Sequence, residues 1–272
     1  MPAPRSDVTP AGIAVRLRAA GCVFAEEEAD LLLTVDQSPA ELNAMIDRRV
    51  AGLPLEQILG WAEFCGLHIV IDPGVFVPRR RTEFLVAEAL TLCSQDAVIV
   101  DLCCGSGAVA TALATTLDTT LDTTRPGLRL FATDIDPVAV ACARRNLAGR
   151  GEVFEGDLFA PLPPWLEGHV NIIVANAPYV PTDEIALMPV EARNYEPRAS
   201  ADGGNDGLDV QRRIVASASH WLAPSGCLLI ETGQRQAAQT AEIFARQGLL
   251  PHIARNDDLD STVVSGRAPA TQ

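Results

Sequence analysis

The sequence predicts an α/β chain: a mostly parallel sheet with helices on both faces, preceded by a small helical domain. Three observations carry this. Of the 272 residues 48% are hydrophobic, enough to bury one large core and one small one. After about residue 82, short apolar runs alternate with stretches of helical period, the pattern of strand, helix, strand, helix. Between about residues 10 and 60 the apolar residues recur at helical spacing.

Each element can be justified in turn. Ile13, Leu17 and Ala20 form one apolar stripe, and Ala29, Leu32 and Leu33 another. Ser38-Pro39-Ala40-Glu41 is a capping box with proline at the first helical position, so a helix should run to about Ala51. Residues 64–71 alternate weakly, break at Asp72-Pro73-Gly74 and resume at Val75-Phe76-Val77. This reads as a hairpin linker dividing a helical unit, 1–74, from a larger one, 75–272. Strands are expected over 97–102, 128–133, 169–175 and 227–231. Helices are expected over 108–117, 137–148, 207–222 and 237–247, with 251–254 and 261–267 closing the sheet as an antiparallel edge. Leu117-Asp118-Thr119-Thr120 recurs as Leu121-Asp122-Thr123-Thr124, a surface loop that grew by duplication. His68 and His169, flanked by apolar residues, read as partly buried structural histidines.

Charge and cysteines bound the function. The 35 acidic residues outweigh 21 Lys and Arg, a net charge of −14 that suits a phosphate backbone poorly. Seven cysteines without regular spacing or a CxxC pair give neither a disulfide framework nor a zinc site. Residues 1–10 have no apolar signal core, and no apolar run reaches transmembrane length. A cytoplasmic monomer with reduced thiols, no metal and no membrane is expected.

Asp101-Leu102-Cys103-Cys104-Gly105-Ser106-Gly107 follows an apolar strand and precedes a helix. Gly105 and Gly107 let backbone approach a ligand. Asp101 ends the first strand, where a carboxylate meets an ammonium group directly or through water. Asp134 ends the second, where it takes both hydroxyls of a ribose. It lies 27 residues beyond Gly107, and removing the eight-residue duplication leaves 19, against an expected spacing of about 20. Free hydroxyls favour adenosine over a 2′-phosphorylated nucleotide. Asp157 and the Leu158 N–H, in Gly156-Asp157-Leu158-Phe159, are candidates for the adenine edge.

The chemistry is written in Asn176-Ala177-Pro178-Tyr179, at the end of an apolar strand. An amide nitrogen is a weak nucleophile because its lone pair is delocalised. It must be held against an activated methyl with both N–H bonds occupied. The Asn176 side-chain oxygen and the Ala177 carbonyl supply two acceptors, and Tyr179 packs on the planar target. Catalysis then comes from positioning and electrostatics.

Taken together, these residues resemble the protein-(glutamine-N5) methyltransferase family that acts on peptide chain release factors. The resemblance spans nearly the whole chain. It includes Pro54-Leu55-Glu56-Gln57-Ile58-Leu59-Gly60, Val77-Pro78-Arg79-Arg80-Arg81-Thr82-Glu83, the loop from Asp101 to Gly107 and the Asn176–Tyr179 segment. It continues through Glu196-Pro197, Gly203-Gly204-Asn205-Asp206-Gly207-Leu208-Asp209 and Leu228-Leu229-Ile230-Glu231-Thr232-Gly233. It implies a Rossmann-like sheet dependent on S-adenosyl-L-methionine, contacted by Cys103 to Gly107, Asp134, Leu158 and Asn176. Asn176, Ala177, Pro178 and Tyr179 would hold the glutamine of a GGQ tripeptide, with the helical unit docking the protein partner. The chain is a divergent member: Ala177 stands at a family proline, Cys103 at the first loop glycine, and Arg80-Arg81 at a Pro-Asp or Pro-Glu pair. Two alternatives share the motif logic: an adenine-N6 methyltransferase acting on DNA or RNA by base flipping, and a catalytically inactive S-adenosylmethionine-binding interaction protein.

Overall fold

The structure is a computed structural model that describes residues 9–94, 97–120 and 129–270. Four helices come first: α1 (Pro10–Ala19), α2 (Ala25–Leu33), α3 (Pro39–Val50) and α4 (Leu55–Leu59). The capping box at Ser38 forms as expected, and α3 ends at its Ala51 cap. Ile13, Leu17, Ala29, Leu32, Met45 and Ile46 bury a small core of their own.

The hairpin is real but displaced. Strands β1 (Trp61–Phe64) and β2 (Leu67–Val70) pair antiparallel around Cys65-Gly66, not around Asp72-Pro73-Gly74. Both turn residues take positive φ, +50° and +71°, the backbone of a two-residue turn that matches strand twist. Val75-Phe76-Val77 belongs to no strand. Ala62, Phe64, Ile69 and Ile71 pack into the core of the large sheet rather than that of the four helices. His68 is exposed rather than partly buried, and stacks on Trp61 with ring centroids 4.0 Å apart. His169 is also exposed, its Nδ1 lying 2.7 Å from the Glu167 carbonyl.

The remainder alternates strand and helix: α5 (Glu83–Leu92), β3 (Val98–Leu102), α6 (Ala108–Thr120), β4 (Arg129–Asp134), α7 (Pro137–Leu147), β5 (Glu152–Glu155), β6 (Val170–Ala175), α8 (Val190–Tyr195), α9 (Asp209–Trp221), β7 (Leu222–Glu231), α10 (Ala237–Arg246), β8 (Leu250–Asn256) and β9 (Ser261–Arg267). The sheet order is β5-β4-β3-β6-β7-β9-β8, parallel from β5 to β7, with β9 and β8 antiparallel. The edge pair was expected. That β9 inserts between β7 and β8 was not. Chain order reverses direction beside β3, whose neighbours are β4 and β6, so a crevice opens at the strands' carboxyl ends. The first copy of the duplication, expected as loop, continues α6 to Thr120; the second lies outside the described residues. Among the described residues no helix is long and apolar enough to cross a membrane.

Candidate active site

A cleft of about 290 Å³ lies at the carboxyl ends of β3, β4 and β6. Cys103, Gly105, Asp134, Asp157, Leu158, Asn176, Ala177, Pro178 and Tyr179 line it, so most of the expected residues converge. Asp101, Cys104, Ser106 and Gly107 do not; all four are buried behind the loop.

Their placement there has a local cause. The Asp101 Oδ2 accepts the Ala110 N–H at 3.1 Å, holding the first turn of α6. Burial pushes its carboxyl up to about 8. Cys104 donates its N–H to the Thr133 carbonyl at 3.0 Å, and the Ser106 carbonyl accepts from Asn146 Nδ2 at 2.8 Å. Gly107 serves packing rather than a ligand: at φ +75°, a Cβ would stand 2.9 Å from the Leu147 side chain and 3.0 Å from that of Ala143. This lets α6 lie close against α7.

The loop residues that do face the cleft carry open backbone. Cys103 takes φ +56°, a left-handed conformation that glycine adopts without the steric cost a Cβ brings. Gly105 takes φ +54°, with nothing within 4 Å of where a Cβ would stand. Its N–H donates to Asp134 Oδ2 at 2.8 Å, while Asp134 Oδ1 accepts from the Asp136 N–H at 3.0 Å. Each oxygen keeps a lone pair for a further donor. Burial raises the Asp134 carboxyl. Asp157 pairs with Arg213 across the cleft, at 2.5 Å, and Leu158 takes φ +50°. Ile135, Ala139 and Val210 add apolar lining.

The opposite end is built by Asn176 and its supports. The Asn176 Nδ2 donates to Thr82 Oγ1 at 3.2 Å, which turns Oδ1 away from Thr82. The Tyr179 hydroxyl donates to Glu231 Oε1 at 3.2 Å. Arg81 Nε stands 3.4 Å from the same oxygen, and its guanidinium 5.8 Å from the Tyr179 ring centroid. Burial, and the negative charge of Glu231, hold the Tyr179 hydroxyl protonated well beyond its ordinary range. The Gly203–Gly207 turn secures the segment from behind. Gly203 donates to the Val180 carbonyl at 2.9 Å, Val180 to that of Ala201 at 2.9 Å, and Gln236 Nε2 to that of Tyr179 at 3.0 Å. A Cβ on Gly207 would stand 2.3 Å from the Tyr179 carbonyl oxygen, so only glycine passes. Phe76 forms another wall beneath Arg79, whose guanidinium lies 4.9 Å from the ring and makes two 2.7 Å bonds to buried Glu196.

Thr82, Arg81, Phe76, Glu196 and Glu231 were not singled out as site residues from the sequence. A signal existed for Glu231: a carboxylate ending the apolar run Leu228-Leu229-Ile230 is costly to bury without a task.

Comparisons with known proteins bear on the family and the fold. The methyltransferase small domain family model matches residues 66–191. A release factor glutamine methyltransferase of Geobacter sulfurreducens is 39% identical over 237 residues, covering 85% of this chain and 80% of the relative. One of Mycolicibacterium smegmatis is 37% identical, covering 84% and 80%. A crystal structure of a methyltransferase from Pyrococcus furiosus shares the fold, with a TM-score of 0.54 at 15% identity over 84% of this chain and 98% of that one. The chain belongs to the release factor glutamine methyltransferase family.

Proposed function

We propose that this protein transfers a methyl group from S-adenosyl-L-methionine to the side-chain amide nitrogen of a glutamine, in the GGQ tripeptide of a peptide chain release factor. The observation that carries the reading is the Asn176 carboxamide, whose nitrogen is committed to Thr82 so that an oxygen is left for the substrate beside the Cys103–Gly105 loop.

The residues present fit the cofactor. Gly105 leaves open backbone, Asp134 offers lone pairs to two hydroxyls, and Leu158 with Asp157 stands at the expected adenine end. When bound, S-adenosylmethionine supplies a methyl group activated by its sulfonium, which becomes a neutral thioether on transfer. Asp101, set behind the loop, reaches an ammonium group only through water or a loop shift. On the substrate side, Asn176 Oδ1 and the Ala177 carbonyl accept the two N–H bonds of the glutamine amide, and Tyr179 and Phe76 flank its plane. The N–C bond forms as one N–H proton leaves for solvent. The residues contribute placement and dipoles rather than a strong base.

We assign partner docking to the helical unit, residues 1–74. Two links support this. Arg49 joins Glu28 at 2.6 Å to Glu191 of α8 at 2.8 Å, and Gln57 reaches the Tyr195 carbonyl at 3.3 Å. Exposed Leu187 and Val190 flank Met188, which lines the cleft. The test is mass spectrometry of a release factor and of DNA and RNA after incubation with isotopically labelled cofactor. Label on the GGQ glutamine is the expected result. Label on adenine, or cofactor bound without turnover, overturns the reading.

A further inference from the structure

The segment that carries Phe76 has no strand to hold it. Val75-Phe76-Val77 lies outside every ladder, yet Val75 is 0% exposed and Val77 2%. Buried backbone groups need partners. Two side chains from elsewhere supply them. Gln57, on α4 and 7% exposed, donates from Nε2 to the Val75 carbonyl at 3.3 Å and to the Tyr195 carbonyl at 3.3 Å. Glu196, the residue after Tyr195, accepts the Val77 N–H on Oε1 at 3.3 Å.

A peptide group is planar, so a carbonyl held in place fixes the plane it belongs to. The Val75 carbonyl belongs to the peptide entering Phe76, and the Val77 N–H to the peptide leaving it. With both planes anchored, the two backbone dihedrals of Phe76 are set, and with them the direction in which its ring leaves the chain. The second anchor leans on Gln57 as well. The Tyr195 carbonyl shares its plane with the Glu196 N–H, which donates to the Ala192 carbonyl at 3.0 Å. One nitrogen of the helical unit thus steadies both sides of Phe76. A side-chain amide suits the task, because its nitrogen carries two N–H donors for two carbonyls. The Tyr195 hydroxyl, 3.2 Å from the Ala51 carbonyl, and the Arg49–Glu191 pair at 2.8 Å tie α8 to the same unit.

We infer that Gln57 is a positioning residue for the substrate cleft: through the Val75 and Tyr195 carbonyls it sets the Phe76 wall, so the helical unit builds part of the site it serves. This role rests on the glutamine-N reading above, in which Phe76 flanks the amide plane. Gln57 itself does not line the cleft, whereas Phe76 does. Gln57→Met is the informative variant. It keeps the length of an unbranched side chain and removes both donors, which frees the peptide plane ahead of Phe76.

The full chain is assayed with a release factor as wild type, Gln57→Met, Phe76→Ala and the Gln57→Met/Phe76→Ala double variant. Gln57→Met is expected to lower kcat about tenfold, as for a misplaced wall, with KM for the release factor and calorimetric cofactor Kd each within about twofold. The double variant should match Phe76→Ala alone, because no ring remains to be misplaced. Hydrogen exchange of the Val77 amide gives a readout independent of turnover. It should quicken about tenfold in Gln57→Met relative to the amides of β3, which report general loosening. Unchanged kcat, a loss confined to KM, losses that multiply in the double variant, or Val77 exchange that rises no more than that of β3 overturns the assignment. If wild-type protein puts no methyl on any release factor, the functional reading fails while the Val77 amide still decides whether Gln57 sets the wall. Should Gln57→Met not fold, Gln57→Asn, whose donors fall one methylene short, is judged by the same outcomes.

Discussion

Asn176 and Asp134 occupy equivalent places in the chain, each a polar residue closing an apolar strand that ends at the cleft. That is why both were legible. A strand buried on both faces has no other use for a carboxamide or a carboxylate at its tip. Asn176→Ala removes the acceptor, and kcat should fall about 10²–10³-fold while thermal unfolding is little changed; steady-state rates with a release factor check this. Asp134→Ala should weaken cofactor binding by about 1.5–3 kcal/mol, the worth of hydrogen bonds to a charged group, as calorimetry would show. Asp101 was legible as a strand-end acid but not as the acceptor for the Ala110 N–H, because its side-chain direction depends on how the turn winds. Thr82 and Glu231 were invisible as the partners of Asn176 and Tyr179, since only the tertiary fold brings them together.

At the scale of elements, the periodic segments came through and the irregular ones did not. Strands β3, β4, β6, β8 and β9 and helices α6, α7, α9 and α10 lie within a few residues of expectation, while β7 starts at Leu222 rather than at 227 and α8 was not expected. Helix α5 was missed because Phe84-Leu85-Val86-Ala87 and Leu90-Thr91-Leu92 leave little polar face to mark a period. The hairpin was misplaced because Asp-Pro-Gly is the stronger turn signal, whereas Cys65-Gly66 makes the turn. The two-glycine loop was legible as a loop, yet its glycines divide their labour: Gly105 faces the cleft and Gly107 packs α6 on α7. Gly107→Ala therefore combines left-handed strain with a Cβ 2.9 Å from Leu147, and should cost about 2–4 kcal/mol in urea unfolding.

Across the whole molecule, the carboxyl end of the sheet gathers buried acids. Asp101 is pushed up to about 8, and Asp134, Glu196 and Glu231 are also raised, each chiefly by burial. For an acid whose pKa is raised on folding, the folded state holds the proton that the unfolded state has lost. Stability is then full below the ordinary carboxyl range, about pH 4, and drains away as pH rises toward 8. The cofactor-free protein should melt progressively lower between pH 5 and 8. Asp101→Asn should flatten that slope, and melting curves with the same pH slope as wild type would refute the account. None of this was readable from the net charge of −14, which counts acids without saying which are enclosed.

The placement of β9 also orders events in time. Glu231 pairs with Val263, and the Thr232 N–H reaches the Thr262 carbonyl at 3.0 Å, so β7 gains its second neighbour only from residues 261–267. A growing polypeptide leaving the ribosome possesses the glycine loop and Asn176 long before it possesses that brace. Until β9 slides between β7 and β8, the nascent enzyme can hold its motifs but not their alignment.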